Sequence, residues 1–220
     1  MRRAAVALTL IAAACATAPP PGVIPTVEFS ARGDNVSPYF VVFVTGDGGW
    51  RKIDIKVSDA LRKAGMPVVG LLANHYFARE RTPEETAADL ARLIHEYQAK
   101  WQRQGVVLVG YSRGAEALPF MINRLPEETR RDIGMVALLG PGLRTGFSLD
   151  GPDRYPLAPE LQQMKGLPLV CVFGTLEKES LCRMMTPEQG TTLSIKGGHH
   201  FGGDYDRIAR AILDALNRRG

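Results

Sequence analysis

The chain has 220 residues, 45% of them hydrophobic and 23% charged, with 27 basic against 23 acidic side chains. That balance fits one ordinary globular domain and excludes a fibrous or disordered chain. No concentrated Lys/Arg face and no interleaving of basic and aromatic residues is present, so nucleic acid is not an expected partner.

The N-terminus reads as an export signal. Met1-Arg2-Arg3 is a short cationic start, residues 4–14 are small and apolar, and Pro19-Pro20-Pro21-Gly22 follows. The apolar run falls short of the about 20 residues that cross a bilayer. Two cleavage sites compete. One, before Cys15 in Ala12-Ala13-Ala14-Cys15, leaves that cysteine as a lipidated first residue; the other, after Ala18 in Ala16-Thr17-Ala18, discards it. On either reading the signal peptide lies within residues 1–18, the mature chain is periplasmic, and residues 19–38 are a Pro-rich linker and N-terminal extension. The two other cysteines, Cys171 and Cys182, form an even pair in an exported chain, which predicts a disulfide rather than a metal site.

From residue 39 to the C-terminus short apolar runs alternate with amphipathic stretches. Residues 39–45 (YFVVFVT) predict a strand, 53–64 a helix ending at Gly65, and 67–73 (PVVGLLA) a second strand. Thr82-Pro83-Glu84-Glu85 opens a long helix: Thr82 can cap it, Pro83 suits its first position, and the acids face its positive end. Ala87, Leu90, Leu93, Ile94, Tyr97 and Trp101 form its apolar face, with His95 as a surface residue. Residues 105–110 (GVVLVG) predict a buried strand that runs directly into a helix over 113–124. Further strands are predicted at 133–139, 167–173 and 192–196, with a closing helix at 205–217. The Gly- and Pro-rich segment 140–166 is a candidate cap or substrate-binding loop.

Gly110-Tyr111-Ser112-Arg113-Gly114 fits G-x-S-x-G and lies between a strand and a helix, the setting of a nucleophile elbow. A serine nucleophile needs a base, and the base needs an acid to hold its tautomer. His199 and His200 follow the last predicted strand in Gly197-Gly198-His199-His200-Phe201; His199 is the preferred base and His200 the alternate. No third ligand accompanies the pair at metal-binding spacing, so no metal or other cofactor is expected. Glu177, after the 167–173 strand, is the candidate acid, with Glu179 as alternate and Asp150 or Asp153 more distant. Both glutamates lie between Cys171 and Cys182, so the disulfide would staple the acid loop. The order Ser112, Glu177, His199 is that of a compact α/β-hydrolase fold, a mostly parallel sheet with helices on both faces. An oxyanion hole would take the amide of Arg113 and a second donor from Gly46-Asp47-Gly48-Gly49, at Asp47 or Gly48. A phosphate loop is excluded there because the Lys-Ser/Thr ending is missing.

Gly46-Asp47-Gly48-Gly49-Trp50, the 76–86 stretch (YFARERTPEET), Gly110-Tyr111-Ser112, Leu181-Cys182 and Gly197-Gly198-His199-His200-Phe201 together resemble the bacterial VirJ/AcvB virulence-protein family. The chain departs from that pattern at Arg113, where a Phe-like residue is expected, and this bears on the lining beside the oxyanion hole. Members are periplasmic α/β-hydrolases, and the AcvB branch is similar to enzymes that remove the aminoacyl group from lysyl-phosphatidylglycerol. The resemblance therefore implies ester hydrolysis on an aminoacyl phospholipid at a membrane surface, with secretion-system components as further partners. Asp47, Trp50, Glu116 and Asp204 are the expected substrate-binding residues, the three acids as partners for ammonium groups. A lipid on Cys15 would hold the protein near such a substrate. A general carboxylesterase or thioesterase, and a non-catalytic periplasmic adapter, are the competing functions.

Overall fold

The computed structural model describes residues 22–218. The expected signal peptide, with Cys15 and both cleavage sites, lies outside them. In chain order the elements are β1 (Thr26–Phe29), β2 (Tyr39–Val44), α1 (Lys52–Lys63), β3 (Val68–Leu71), α2 (Ala73–Tyr76), α3 (Pro83–Trp101), β4 (Gly105–Tyr111), α4 (Arg113–Asn123), α5 (Glu127–Arg131) and β5 (Ile133–Leu139). They continue with β6 (Arg144–Thr145), β7 (Tyr155–Pro156), α6 (Ala158–Gln163), β8 (Leu169–Gly174), β9 (Thr191–Ile195) and α7 (Tyr205–Asn217).

Seven strands form one sheet in the order β1-β3-β2-β4-β5-β8-β9. All neighbours in it pair parallel except β1, which runs antiparallel to β3. The expected parallel strands are all present, and β1 is a correction: part of the stretch read as a linker is the edge of the sheet. It escaped notice because TVEF is four residues long and sits among prolines.

Both faces of the sheet are covered, and this explains the nearly continuous apolar strands. Along β2, Phe40, Val42 and Val44 point to a core shared with α3 and α4, whereas Val41 and Phe43 point to one shared with α1 and α7. Leu90, Leu93 and Ile94 of α3 fill the first core; Ile53, Val57 and Leu61 of α1 with Ile208 and Ile212 of α7 fill the second. The start of α3 is capped as its sequence predicts. The Thr82 hydroxyl accepts from the Glu85 amide at 3.1 Å, and the Glu85 carboxylate accepts from the Thr82 amide at 2.9 Å. His95 is exposed on this helix and hydrogen-bonds Thr129 at 2.9 Å, a structural role.

The chain leaves β2 toward β3 and then crosses back through α3 to β4, on the other side of β2. The strand order thus reverses between β2 and β4, and the crevice outside their carboxyl ends is where open α/β sheets place ligands. The glycine-rich loop after β2 and Ser112 after β4 meet there. Segment 140–157 folds over the same end as a small hairpin of β6 and β7. Phe147 anchors it, packing against Phe77, Phe120 and Tyr155, while the Phe147 carbonyl accepts from the Arg81 amide at 2.9 Å.

Candidate active site

Ser112 occupies the turn between β4 and α4 with φ 53° and ψ −120°, a conformation side chains rarely adopt. Its amide donates to the Leu139 carbonyl at 2.9 Å, which ties the turn to β5. The elbow is tight enough that a Cβ at Gly110 would stand 2.5 Å from the Gly114 carbonyl oxygen. These contacts hold the Ser112 hydroxyl at the crevice.

His199 Nε2 lies 2.9 Å from Ser112 Oγ, and His199 Nδ1 lies 2.7 Å from Glu177 Oε1. Both groups come from neighbouring strand ends, since Gly174 at the end of β8 pairs with Ile195 at the end of β9. Backbone bonds continue that pairing into the loops: the Thr175 amide reaches the Ile195 carbonyl at 2.8 Å and the Leu176 amide the Gly197 carbonyl at 2.9 Å. The second Glu177 oxygen accepts from the Gly174 amide, which fixes the carboxylate's orientation. Cys171 and Cys182 are disulfide-bonded with Cα atoms 5.4 Å apart, so the acid loop is closed at its base as expected.

Electrostatics follow from these contacts. Burial works against ionisation of Glu177, but the His199 hydrogen bond and the Gly174 amide outweigh it and hold the carboxyl below the usual range. The same hydrogen bond to Glu177 raises the His199 imidazole above its ordinary value, against the opposing effect of burial. Glu179 is exposed and hydrogen-bonds neither histidine, and Asp153 is engaged elsewhere, so Glu177 is the acid brought to the imidazole. His200 does not reach Ser112 either. Its Nδ1 lies 2.9 Å from the Tyr111 hydroxyl, which is also 3.3 Å from the His199 carbonyl oxygen. The Tyr111 ring stacks on His199 at 5.2 Å. Tyr111 therefore props up both histidines, a role its place inside the serine motif concealed.

The loop after β2 turns back through a 3.0 Å hydrogen bond from the Gly49 amide to the Gly46 carbonyl. It passes so close to the elbow that a Cβ at Gly46 would stand 3.1 Å from Ser112 Cβ. Among the described residues the backbone amides of Asp47, Gly48 and Arg113 reach no protein acceptor. That leaves unengaged backbone donors on the two loops that meet at Ser112, which an oxyanion hole would require.

Arg113 is only 8% exposed, and its side chain occupies the centre of a charged cluster. Nε donates to Asp47 at 3.2 Å; Nη1 donates to Asp153 at 2.7 Å and to Thr145 Oγ1 and the Gly146 carbonyl at 3.3 Å each. Glu116 lies 3.7 Å away and accepts from the Gly142 amide at 3.2 Å. Burial raises the Glu116 carboxyl despite Arg113 and that amide. Where the resemblance implied a Phe-like residue, this chain has a guanidinium that joins the glycine-rich loop to segment 140–157.

The expected substrate-binding residues are thus largely occupied within the protein. Asp47 and Glu116 face Arg113, and the Asp204 side chain caps α7 by accepting from the Arg207 amide at 3.3 Å. Trp50 requires a correction. Its indole stacks on Phe29 at 5.1 Å and lies edge-on to Phe43 at 5.7 Å, outside the lining of the Ser112 cavity. That cavity measures about 580 Å³, and its lining includes four residues that motif reading missed: Arg51, Lys52, Ile53 and Tyr205. The first two follow the glycine motif directly, which is the signal that could have found them.

A strained serine between strand and helix, at the switch point of a mostly parallel sheet covered on both faces, defines an α/β-hydrolase. Solved structures share that fold. A lipase-esterase related protein from Clostridium acetobutylicum matches with TM-score 0.64 at 16% identity, covering 87% of this chain and 98% of that one. Est1E from Butyrivibrio proteoclasticus matches with TM-score 0.65 at 12% identity, covering 87% and 94%. An α/β serine hydrolase without a lid from Xanthomonas campestris matches with TM-score 0.56 at 14% identity, covering 90% and 95%. A comparison with curated protein sequences finds no match. Within the class, the chain belongs to the VirJ family of bacterial virulence proteins, whose model matches residues 38–220.

Proposed function

We propose that this protein is a serine ester hydrolase whose substrate is lysyl-phosphatidylglycerol or a related aminoacyl phospholipid. The observation that carries the hydrolytic part is the hydrogen-bonded chain from Glu177 through His199 to Ser112, set beside free backbone amides. Ser112 Oγ forms a bond to the ester carbonyl carbon while His199 Nε2 takes the hydroxyl proton. The oxyanion is met by the amide of Arg113 and that of Asp47 or Gly48. Collapse expels the alcohol, which leaves with the proton from His199; water, deprotonated by the same imidazole, then releases the acid. Glu177 holds the tautomer and stabilises the imidazolium.

The lipid part rests on the family resemblance, with the open cavity beside Ser112 leaving room for a head group. Action in the periplasm at a membrane surface, peripherally or through Cys15, is consistent with the disulfide and with the lack of a membrane-crossing helix among the described residues. A second reading, a general carboxylesterase, is favoured by the likeness to esterase folds. Fluorophosphonate labelling tests the mechanism: wild type labels at Ser112, and Ser112→Ala neither labels nor hydrolyses esters. A Ser112→Ala protein with full activity would end this reading. Lipid profiling of cells with and without the protein tests the substrate, with accumulation of an aminoacyl-phosphatidylglycerol on deletion as the expected result. Unchanged lipids together with hydrolysis of simple esters would favour the carboxylesterase, and a folded, oxidised protein that never labels would favour an adapter.

A further inference from the structure

The cavity that holds Ser112 and His199 has an uneven charge distribution. Its lining holds one acidic and two basic side chains besides the histidines: Asp47, Arg51 and Lys52. Asp47 faces the Arg113 guanidinium with both carboxylate oxygens, at 3.2 and 3.5 Å, a cation it shares with Asp153 and Glu116. Arg51 and Lys52 are exposed and form no ion pair among the described residues. The cavity lining thus sets two cations without an ion-pair partner beside one carboxylate that is already engaged.

Their place is fixed by the backbone. The Arg51 amide donates to Asp54 Oδ2 at 2.7 Å, and Asp54 is fully buried, so the residue cannot drift from the mouth of α1. The Arg51 side chain runs along the glycine-rich loop; a Cβ at Gly48 would meet its Nε at 3.3 Å and its Cγ at 3.5 Å. The Arg51 side chain is thus packed beside the glycine-rich loop that adjoins Ser112. A planar fork and a neighbouring point charge together suit a group with several anionic oxygens.

We propose that Arg51 and Lys52 form an anion subsite of the Ser112 cavity, which takes a phosphate or phosphodiester carried by the ester substrate. The inference rests on the ester-hydrolase reading and narrows it: the enzyme distinguishes esters by a charge remote from the bond it breaks. Binding energy from that remote group positions the carbonyl over Ser112.

The test compares a short-chain acylglycerol with the same acyl ester of glycerol 3-phosphate. Wild type is expected to favour the phosphate ester in kcat/KM by about tenfold or more, the scale of one or two charge-assisted hydrogen bonds. In an Arg51→Gln/Lys52→Gln protein, checked for folding by its thermal transition, the ratio falls toward one. Arg51→Lys, which keeps the charge, retains most of the preference. Binding of glycerol 3-phosphate against glycerol, followed by ligand-observed NMR, reads the subsite without turnover. If Ser112 labels and both esters turn over equally, with no selective binding, the subsite is wrong and the hydrolase reading survives. If glycerol 3-phosphate binds, the double variant loses it, and no ester turns over, the subsite stands and the hydrolase reading falls. Binding of inorganic phosphate alone, without preference between the esters, would also overturn the subsite.

Discussion

On one side of Ser112 a base and an acid arrive from adjacent strand ends, with main-chain hydrogen bonds continuing the sheet into their loops and a disulfide closing the base of one loop. On the other side the glycine-rich loop is held by a single buried arginine whose partners lie far away in sequence: Asp47, Thr145 and Asp153 are 66, 32 and 40 positions from it. The first side depends on backbone geometry, the second on the charges of side chains. Backbone support survives most substitutions, whereas a charged hub is lost with one. The two halves of the site should therefore fail in different ways.

The largest effect should come from Glu177→Gln, which keeps the shape and removes the charge. A fall in kcat/KM of about 10²- to 10⁴-fold is expected, as for other triads that lose their acid. In the proposed mechanism the neutral imidazole is the base, and its hydrogen bond to Glu177 raises its pKa. In wild type the acid limb of the pH profile should accordingly lie above the ordinary histidine value of about 6.5, and in Glu177→Gln it should move to lower pH. Coincident midpoints in the two profiles would show that Glu177 is not the partner of His199. Next is Cys182→Ser. Losing a short closed loop should cost about 3 kcal/mol of stability by denaturant titration. Its kcat at a temperature where the protein is folded should change less than tenfold, because Thr175 and Leu176 still bond to the end of β9. A collapse of kcat in the folded variant would mean that the disulfide, not the backbone, holds the acid.

The smallest of the three is Arg113→Met, for which a roughly tenfold lower kcat with little change in KM is expected, since the loop that offers amides to the transition state loses its tether. Arg113→Lys should recover only part of it, because one ammonium cannot reproduce a fork that grips Asp47 and Asp153 together. If Arg113→Met leaves kcat unchanged, the loop is held by its own turn and the contrast between the two sides disappears.

These two sides also differ in how far the sequence revealed them. Ser112, Glu177 and His199 are brought together because each follows a strand of a regular parallel sheet, and Cys171 lies in the strand that leads to Glu177, so chain order and motif suffice to place them. The role of the Arg113 side chain was hidden because its partners sit in a Gly- and Pro-rich segment with no periodicity to reveal its path. Strand β1 was missed for a related reason: four residues paired at an edge leave little pattern. Tyr111 and Arg51 were passed over because each adjoins a more conspicuous motif.

The antiparallel course of β1 has a consequence for orientation. Thr26 at its start pairs with Leu71 at the carboxyl end of β3, and the Pro25 carbonyl accepts from the Leu72 amide at 2.9 Å. The polypeptide therefore enters the domain at the end of the sheet that bears Ser112. The start of β1 and the mouth of the cavity thus share one end of the sheet.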